Sequence, residues 1–162
     1  MMKNIKLLIV VSLLIGLASC GETIKKTVVA ENVTMIEDYP FQGPNTIIGI
    51  WDVDLNGINL EEMDEAKVKS IKMEMVEPGT STILGDCIMQ LAAEGTNMQR
   101  VAVLNPIPDD QQSFELSIAE EQENLIDLLK QKEITFVADI NLEEEPTSGL
   151  SIKTTIEFEI EN

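Results

Sequence analysis

Two long stretches near the C-terminus alternate between inward-type and outward-type residues, and that period of two fixes the fold class. Ile134, Phe136, Ala138, Ile140 and Leu142 alternate with Thr135, Val137, Asp139 and Asn141. Then Leu150, Ile152, Thr154, Ile156, Phe158 and Ile160 alternate with Ser151, Lys153, Thr155, Glu157 and Glu159. Successive side chains of a strand point to opposite faces. Each stretch therefore predicts a strand with one buried face and one solvated face. The link 143–149 carries three glutamates, Pro146 and Gly149, and predicts a hairpin between them.

The same pattern recurs upstream. Residues 27–36 predict a strand with Val29, Val33 and Met35 on one side. Residues 45–55 place Ile47, Trp51, Val53 and Leu55 on one face, and Ile48 and Ile50 make the first half apolar on both. Asn56-Gly57 ends that strand with a turn signal. In 69–77, Ile71, Met73 and Met75 face in, and Pro78-Gly79 stops the run. Residues 86–93 and 98–104 predict a strand pair around Glu94-Gly95-Thr96-Asn97, and 114–118 a short strand. The one predicted helix is 120–132, with Leu125, Leu128 and Leu129 as its apolar stripe and Ser117 with Glu120 as a capping box. Seven or eight strands at this spacing predict a mainly β fold: an antiparallel, Ig-like β-sandwich with one short helix before the C-terminal hairpin.

The first 26 residues read differently. Lys3 and Lys6 precede the apolar run Leu7-Leu8-Ile9-Val10-Val11, which resumes as Leu13-Leu14-Ile15. That run is too short to span a bilayer and fits a signal peptide core. It ends in Leu17-Ala18-Ser19-Cys20-Gly21, which resembles the lipobox of bacterial lipoproteins. The resemblance implies that residues 1–19 are a signal peptide and that Cys20 carries a covalent diacylglycerol. Residues 20–26 are then the lipidated cysteine and its tether, and 27–162 one β-sandwich domain. Extended, such a tether reaches roughly 20 Å.

Charge narrows the function. The chain has 29 acidic and 11 basic residues, a net charge of −18. Cleavage after Ser19 removes Lys3 and Lys6 and no acid, which makes the remainder more negative still. No basic patch exists to neutralise phosphates, which excludes nucleic-acid binding as a main role. There is no histidine, which removes Ser-His-Asp and Cys-His catalysis and histidine-ligated zinc. No catalytic residue is expected, and the chain does not read as an enzyme. Once Cys20 is acylated, Cys87 has no partner for an intramolecular disulfide and reads as a small core residue. Met73, Met75 and Met89 sit at inward positions and read as core rather than copper ligands.

One motif carries possible chemistry. Asp52-Val53-Asp54-Leu55-Asn56-Gly57 has the D-x-D-x-N-G spacing that opens an EF-hand calcium loop, with Asp52, Asp54 and Asn56 as oxygen ligands. The bidentate glutamate of position 12 is replaced by Met63. The plainer reading of the same residues is the solvent face of a strand followed by its turn. The acidic runs at 61–65 and 143–145 read as solvated loops.

Ser70-Ile71-Lys72-Met73 leading to Glu77-Pro78, Val101-Ala102-Val103-Leu104, and Asn124-Leu125-Ile126-Asp127-Leu128-Leu129 together resemble small flavobacterial-type lipoproteins of Bacteroidota. The resemblance implies a β-sandwich and no activity. In that phylum, surface-exported lipoproteins carry an acidic cluster after the lipidated cysteine. Here the tether is Gly21-Glu22-Thr23-Ile24-Lys25-Lys26. The expectation is a non-enzymatic binding or structural module of the envelope, lipid-anchored in the outer membrane and facing the periplasm, with an envelope protein as partner. The other expectation is a surface adhesion or glycan-binding module, possibly calcium-dependent.

Overall fold

The computed structural model describes residues 24–36, 40–76, 84–107, 111–146 and 149–162. The predicted signal peptide, Leu17, Ala18, Ser19, Cys20 and the Pro78-Gly79 stop lie outside the described residues. Nine strands are described: β1 (Lys25–Ile36), β2 (Gly43–Asp52), β3 (Glu65–Met75), β4 (Leu84–Ala92), β5 (Gln99–Leu104), β6 (Ser113–Glu115), β7 (Ser117–Ile118), β8 (Glu133–Leu142) and β9 (Leu150–Glu161). They form two antiparallel sheets, one ordered β1-β9-β3-β6 and the other β2-β8-β4-β5-β7. The predicted mainly β sandwich is the architecture observed. No described helix is long and apolar enough to cross a membrane.

The two sheets share one core. Ile134, Phe136, Ala138, Ile140 and Leu142 of β8 face Leu150, Ile152, Thr154, Ile156, Phe158 and Ile160 of β9, and all are buried. The alternation therefore marks the buried faces as expected, but not the pairing. The two strands are not a hairpin. β8 lies between β2 and β4, and β9 lies between β1 and β3. Each is an interior strand of its own sheet, so the chain changes sheets between Leu142 and Leu150.

The connectivity refines the immunoglobulin likeness, which holds for two packed antiparallel sheets. An immunoglobulin domain pairs its first two strands in one sheet. Here β1 pairs with the last strand and β2 with the last but one, in opposite sheets. This doubled-back winding is that of a jelly roll. The predicted strand 114–118 is split by it. Ser113–Glu115 pairs with β3, and Ser117–Ile118 pairs with β5. Leu116 is buried at the crossing, and its N–H donates to Ile71 O at 2.9 Å.

The predicted helix 120–132 is reduced to one turn, α1 (Ile126–Leu129). The edge of β3 claims the rest. Gln122 accepts from Val68 N–H at 2.9 Å and donates to Val68 O at 3.0 Å. Asn124 accepts from Ala66 N–H at 3.0 Å and donates to Asp64 O at 2.6 Å. Leu125 N–H donates to Ala66 O at 2.9 Å. A helix from residue 120 would leave these strand groups unpaired, so the extended path wins. The Ser117–Glu120 capping box does not form, because Ser117 belongs to β7.

The side of β1 bearing Val29, Val33 and Met35 faces solvent, and Val28 and Ala30 supply the core. Their small size suits the seam where β1 approaches β2. There Asn32 donates to Ile50 O at 2.8 Å. Trp51, fully buried, tilts against Phe136 with ring centroids 4.4 Å apart. Its indole N–H donates to Thr154 Oγ1 of the other sheet at 3.1 Å. Gly49 stands opposite Phe136 in register. A Cβ there would collide with the Phe136 ring and the Thr34 hydroxyl.

Gly49→Ala should therefore destabilise the domain by about 1–3 kcal/mol through overpacking. Thr154→Val strands the Trp51 N–H and should cost about 1–3 kcal/mol. Urea midpoints at constant m-value measure both.

Candidate functional site

β2 ends at Asp52, opposite Glu133 at the start of β8. Residues 53–64 then lead to Glu65 of β3, which lies opposite Glu161, as does Lys25. The segment along Ala66 leads through α1 back to Glu133. The Asp52–Glu133 end of one sheet and the Lys25–Glu65–Glu161 end of the other are thus the same end of the sandwich. Ile24, where the described chain begins, is there too, its N–H on Asn162 Oδ1 at 2.7 Å.

Two concavities open at this end. The larger, about 540 Å³, is lined by residues 52–58 and Lys132. It is built by the D-x-D-x-N-G motif. Asn56 and Gly57 have φ of 49° and 78°, and Ile58 N–H donates to Leu55 O at 2.9 Å. Two successive positive φ values with that bond make a type I′ turn, for which Asn-Gly is the favoured pair. Asp54 accepts from Asn56 N–H at 2.8 Å, and Asn56 donates back to Asp54 O at 3.1 Å. Val53 N–H donates to Lys132 O at 2.9 Å.

The structure thus brings Asp52, Asp54 and Asn56 to one concavity but spends polar groups of Asp54 and Asn56 on the turn itself. Among the described residues no group of three or more His, Cys, Asp or Glu could hold a metal ion. Met63, at the position of the missing calcium ligand, packs against the core. Glu62 accepts from Asn59 at 2.8 Å. The Lys132 ammonium adds positive charge to the lining, which opposes a cation. The donor set fits a turn better than calcium.

The smaller concavity, about 190 Å³, is lined by Ile50, Ala93, Glu94, Gln131, Glu133 and Thr135. Residues 131–133 separate the two. No local pattern points to it, because Gln131 and Lys132 read as the end of a helix. Lys132 instead turns back with a φ of 63°.

The shifted pKa values lie away from both concavities. On the outer face of the four-stranded sheet, hydrogen bonds that Lys25 donates to Glu161 and Glu159 raise its pKa, and one that Lys69 donates to Glu157 raises that of Lys69. The same contacts lower Glu161 and Glu157. The Cys87 thiol, buried against Met73 Sδ at 3.6 Å, is pushed up to about 12, chiefly by desolvation and then by Asp86 and Asp139.

No protein-family model matches the chain, and no curated protein matches it. Among solved structures it is similar to the crystal structure of decameric BFDV capsid protein, at 12% identity and a TM-score of 0.45. The match covers 86% of this chain and 98% of that one.

Two measurements follow. Calorimetric titration with calcium should give no saturable heat at roughly millimolar concentration, the weak end of extracellular calcium modules. Ellman's reagent at neutral pH should leave Cys87 unmodified in the folded chain and modify it fully in denaturant. In the unfolded chain the thiol ionises near its ordinary 9.0. Its contribution to stability is therefore complete below that value and is lost as pH rises towards about 12.

Proposed function

We propose that the chain is a lipid-anchored, non-enzymatic binding or structural module of the cell envelope, held in the outer membrane and facing the periplasm. The observation that carries this reading is the N-terminal segment closing in Leu17-Ala18-Ser19-Cys20. A diacylglyceryl group with its several buried methylenes, each worth about 0.8 kcal/mol, is a lasting attachment. The tether before β1 carries one acid and lacks the acidic export cluster, which favours the periplasmic face.

Strand β1 begins at Lys25, five residues after Cys20. Five residues span at most about 18 Å. On so short a tether the end bearing Ile24 and both concavities faces the membrane. The opposite strand ends, at Ile36, Met75, Leu104 and Leu142, then lie away from it. This geometry disfavours a surface adhesin or glycan reader using the Asp52–Gly57 turn, because that turn would be presented to the lipid. It favours a partner met laterally, across a sheet face. Net charge of −18 keeps the domain off anionic lipid and away from nucleic acid.

Metabolic labelling with an alkyne fatty acid tests the anchor. The full chain should take up label and sediment with membranes, and Cys20→Ala should lose label and move to the soluble fraction. A native chain without label would end the proposal.

A further inference from the structure

The larger concavity has a lining that its turn does not use up. Asp54 gives one carboxylate oxygen to Asn56 N–H and keeps the other. The Asp52 carboxylate and the Lys132 ammonium hold no hydrogen bond or ion pair among the described residues, with each other or with a third group. Lys130, two residues before, closes on Asp127 at 2.7 Å. Lys132 closes on nothing, although two aspartates line the same concavity. Its φ of 63° lies where glycine is favoured. The turn itself therefore does not call for a lysine.

Asp52 also stands directly opposite Glu133. Like charges opposed across two strands are unfavourable. An ammonium group brought from outside would relieve that repulsion, and an anion brought from outside would pair with Lys132. Val53 is buried in the lining, and Leu55 and Ile58 are half-buried there, which suits a short alkyl link between the two charges. At about 540 Å³ the concavity has the size of a small-molecule site. The occupant that these groups describe carries a cation and an anion a few bonds apart.

Charge and position choose its source. The short tether proposed above turns this end towards lipid. A net charge of −18 repels anionic headgroups, so the headgroup met there is a neutral one. A choline cap is trimethylated and donates no N–H. An ethanolamine ammonium donates three, as a lysine does, and aspartate oxygens only accept. We infer that the concavity formed by Asp52 to Ile58 and Lys132 holds the phosphoethanolamine headgroup of a membrane lipid, with its ammonium on Asp52 and Asp54 and its phosphate on Lys132. The inference rests on the proposed anchor, which sets this end against the bilayer. One such contact is weak by itself. Beside a lipidated Cys20 it becomes a second attachment to the same surface, made at a high effective concentration of headgroups. Two attachments fix how the domain stands on the membrane, where one leaves it free to swing.

Carbodiimide condensation tests this, because it joins a carboxylate to a primary amine in contact with it, with loss of water. The full lipidated chain is placed in vesicles of phosphatidylethanolamine with phosphatidylcholine, and adducts are mapped by peptide mass. The expected product is phosphatidylethanolamine on Asp52 or Asp54, several-fold above Glu61, Glu62 and Glu65 of the same end. Lys132→Gly, which suits the backbone there, should lower the yield about fivefold, the size of one well-placed exposed ion pair. Lys132→Arg should keep it. Fatty-acid labelling of Cys20 is read in the same samples. A labelled chain with no adduct, equal yields on all five acids, a yield unmoved by Lys132→Gly, or loss of the adduct to excess free phosphoethanolamine overturns the lipid site and leaves the anchor standing. An unlabelled chain overturns both.

Discussion

The Trp51 indole joins the two sheets. It stands on β2, lies against Phe136 of β8, and donates to Thr154 of β9 across the core. Thr154 in turn lies 3.5 Å from Asn32 O on β1, and the Asn32 amide donates to Ile50 O on β2. A short polar thread therefore runs from the middle of the core to the seam where the two edge strands meet. No buried side-chain nitrogen or oxygen among the described residues lacks a partner. The thread explains why a threonine sits on the inward face of β9 among isoleucines and a phenylalanine. In an apolar interior a bare indole N–H would cost more than the bond returns, and the threonine removes that cost.

Gly49 belongs to the same arrangement. Phe136 can reach Trp51 only by crossing the place where a neighbouring side chain would stand, and the register puts Gly49 there. The aromatic contact, the missing side chain and the cross-sheet hydrogen bond form one unit. The winding places this unit between strands far apart in sequence, β2, β8 and β9. β1 and β9 are joined by their own antiparallel ladder, from Lys25 opposite Glu161 to Ile36 opposite Leu150, and not by a local turn.

This is also where the sequence falls short. Period two in 134–142 and 150–160 shows which residues are buried, because alternation records the face. It carries nothing about which strand lies alongside, so two adjacent alternating runs read as a hairpin while belonging to different sheets. The leucines at 125, 128 and 129 have helical spacing and do form a turn of helix. What the spacing hides is that Gln122 and Asn124 complete the edge of β3, a long-range demand that no local pattern reports. The Asn56-Gly57 turn was legible because it is local: two residues suited to positive φ at the end of a strand. The smaller concavity was not, since it exists only where the ends of three separated segments converge. The outer face of the five-stranded sheet was half legible, in Ile48 and Ile50 on the wrong side of their strand. Its other apolar residues Val137, Ile88 and Val103 needed the register.

The distribution of charge links the core to the envelope reading. A chain at −18 repels its own copies, and dispersing the charge over every surface would keep it monomeric. Here Lys25, Lys67, Lys69 and Lys153 of the four-stranded sheet each close an ion pair with a glutamate of that same sheet, so much of the local charge is neutralised where it stands. Val29, Val33 and Met35 are exposed beside those pairs, and Ile48, Ile50 and Val103 are exposed on the other sheet. A domain held at one end by a short tether, as proposed, would turn both sheet faces sideways, and both would offer a lateral partner apolar surface set among charges.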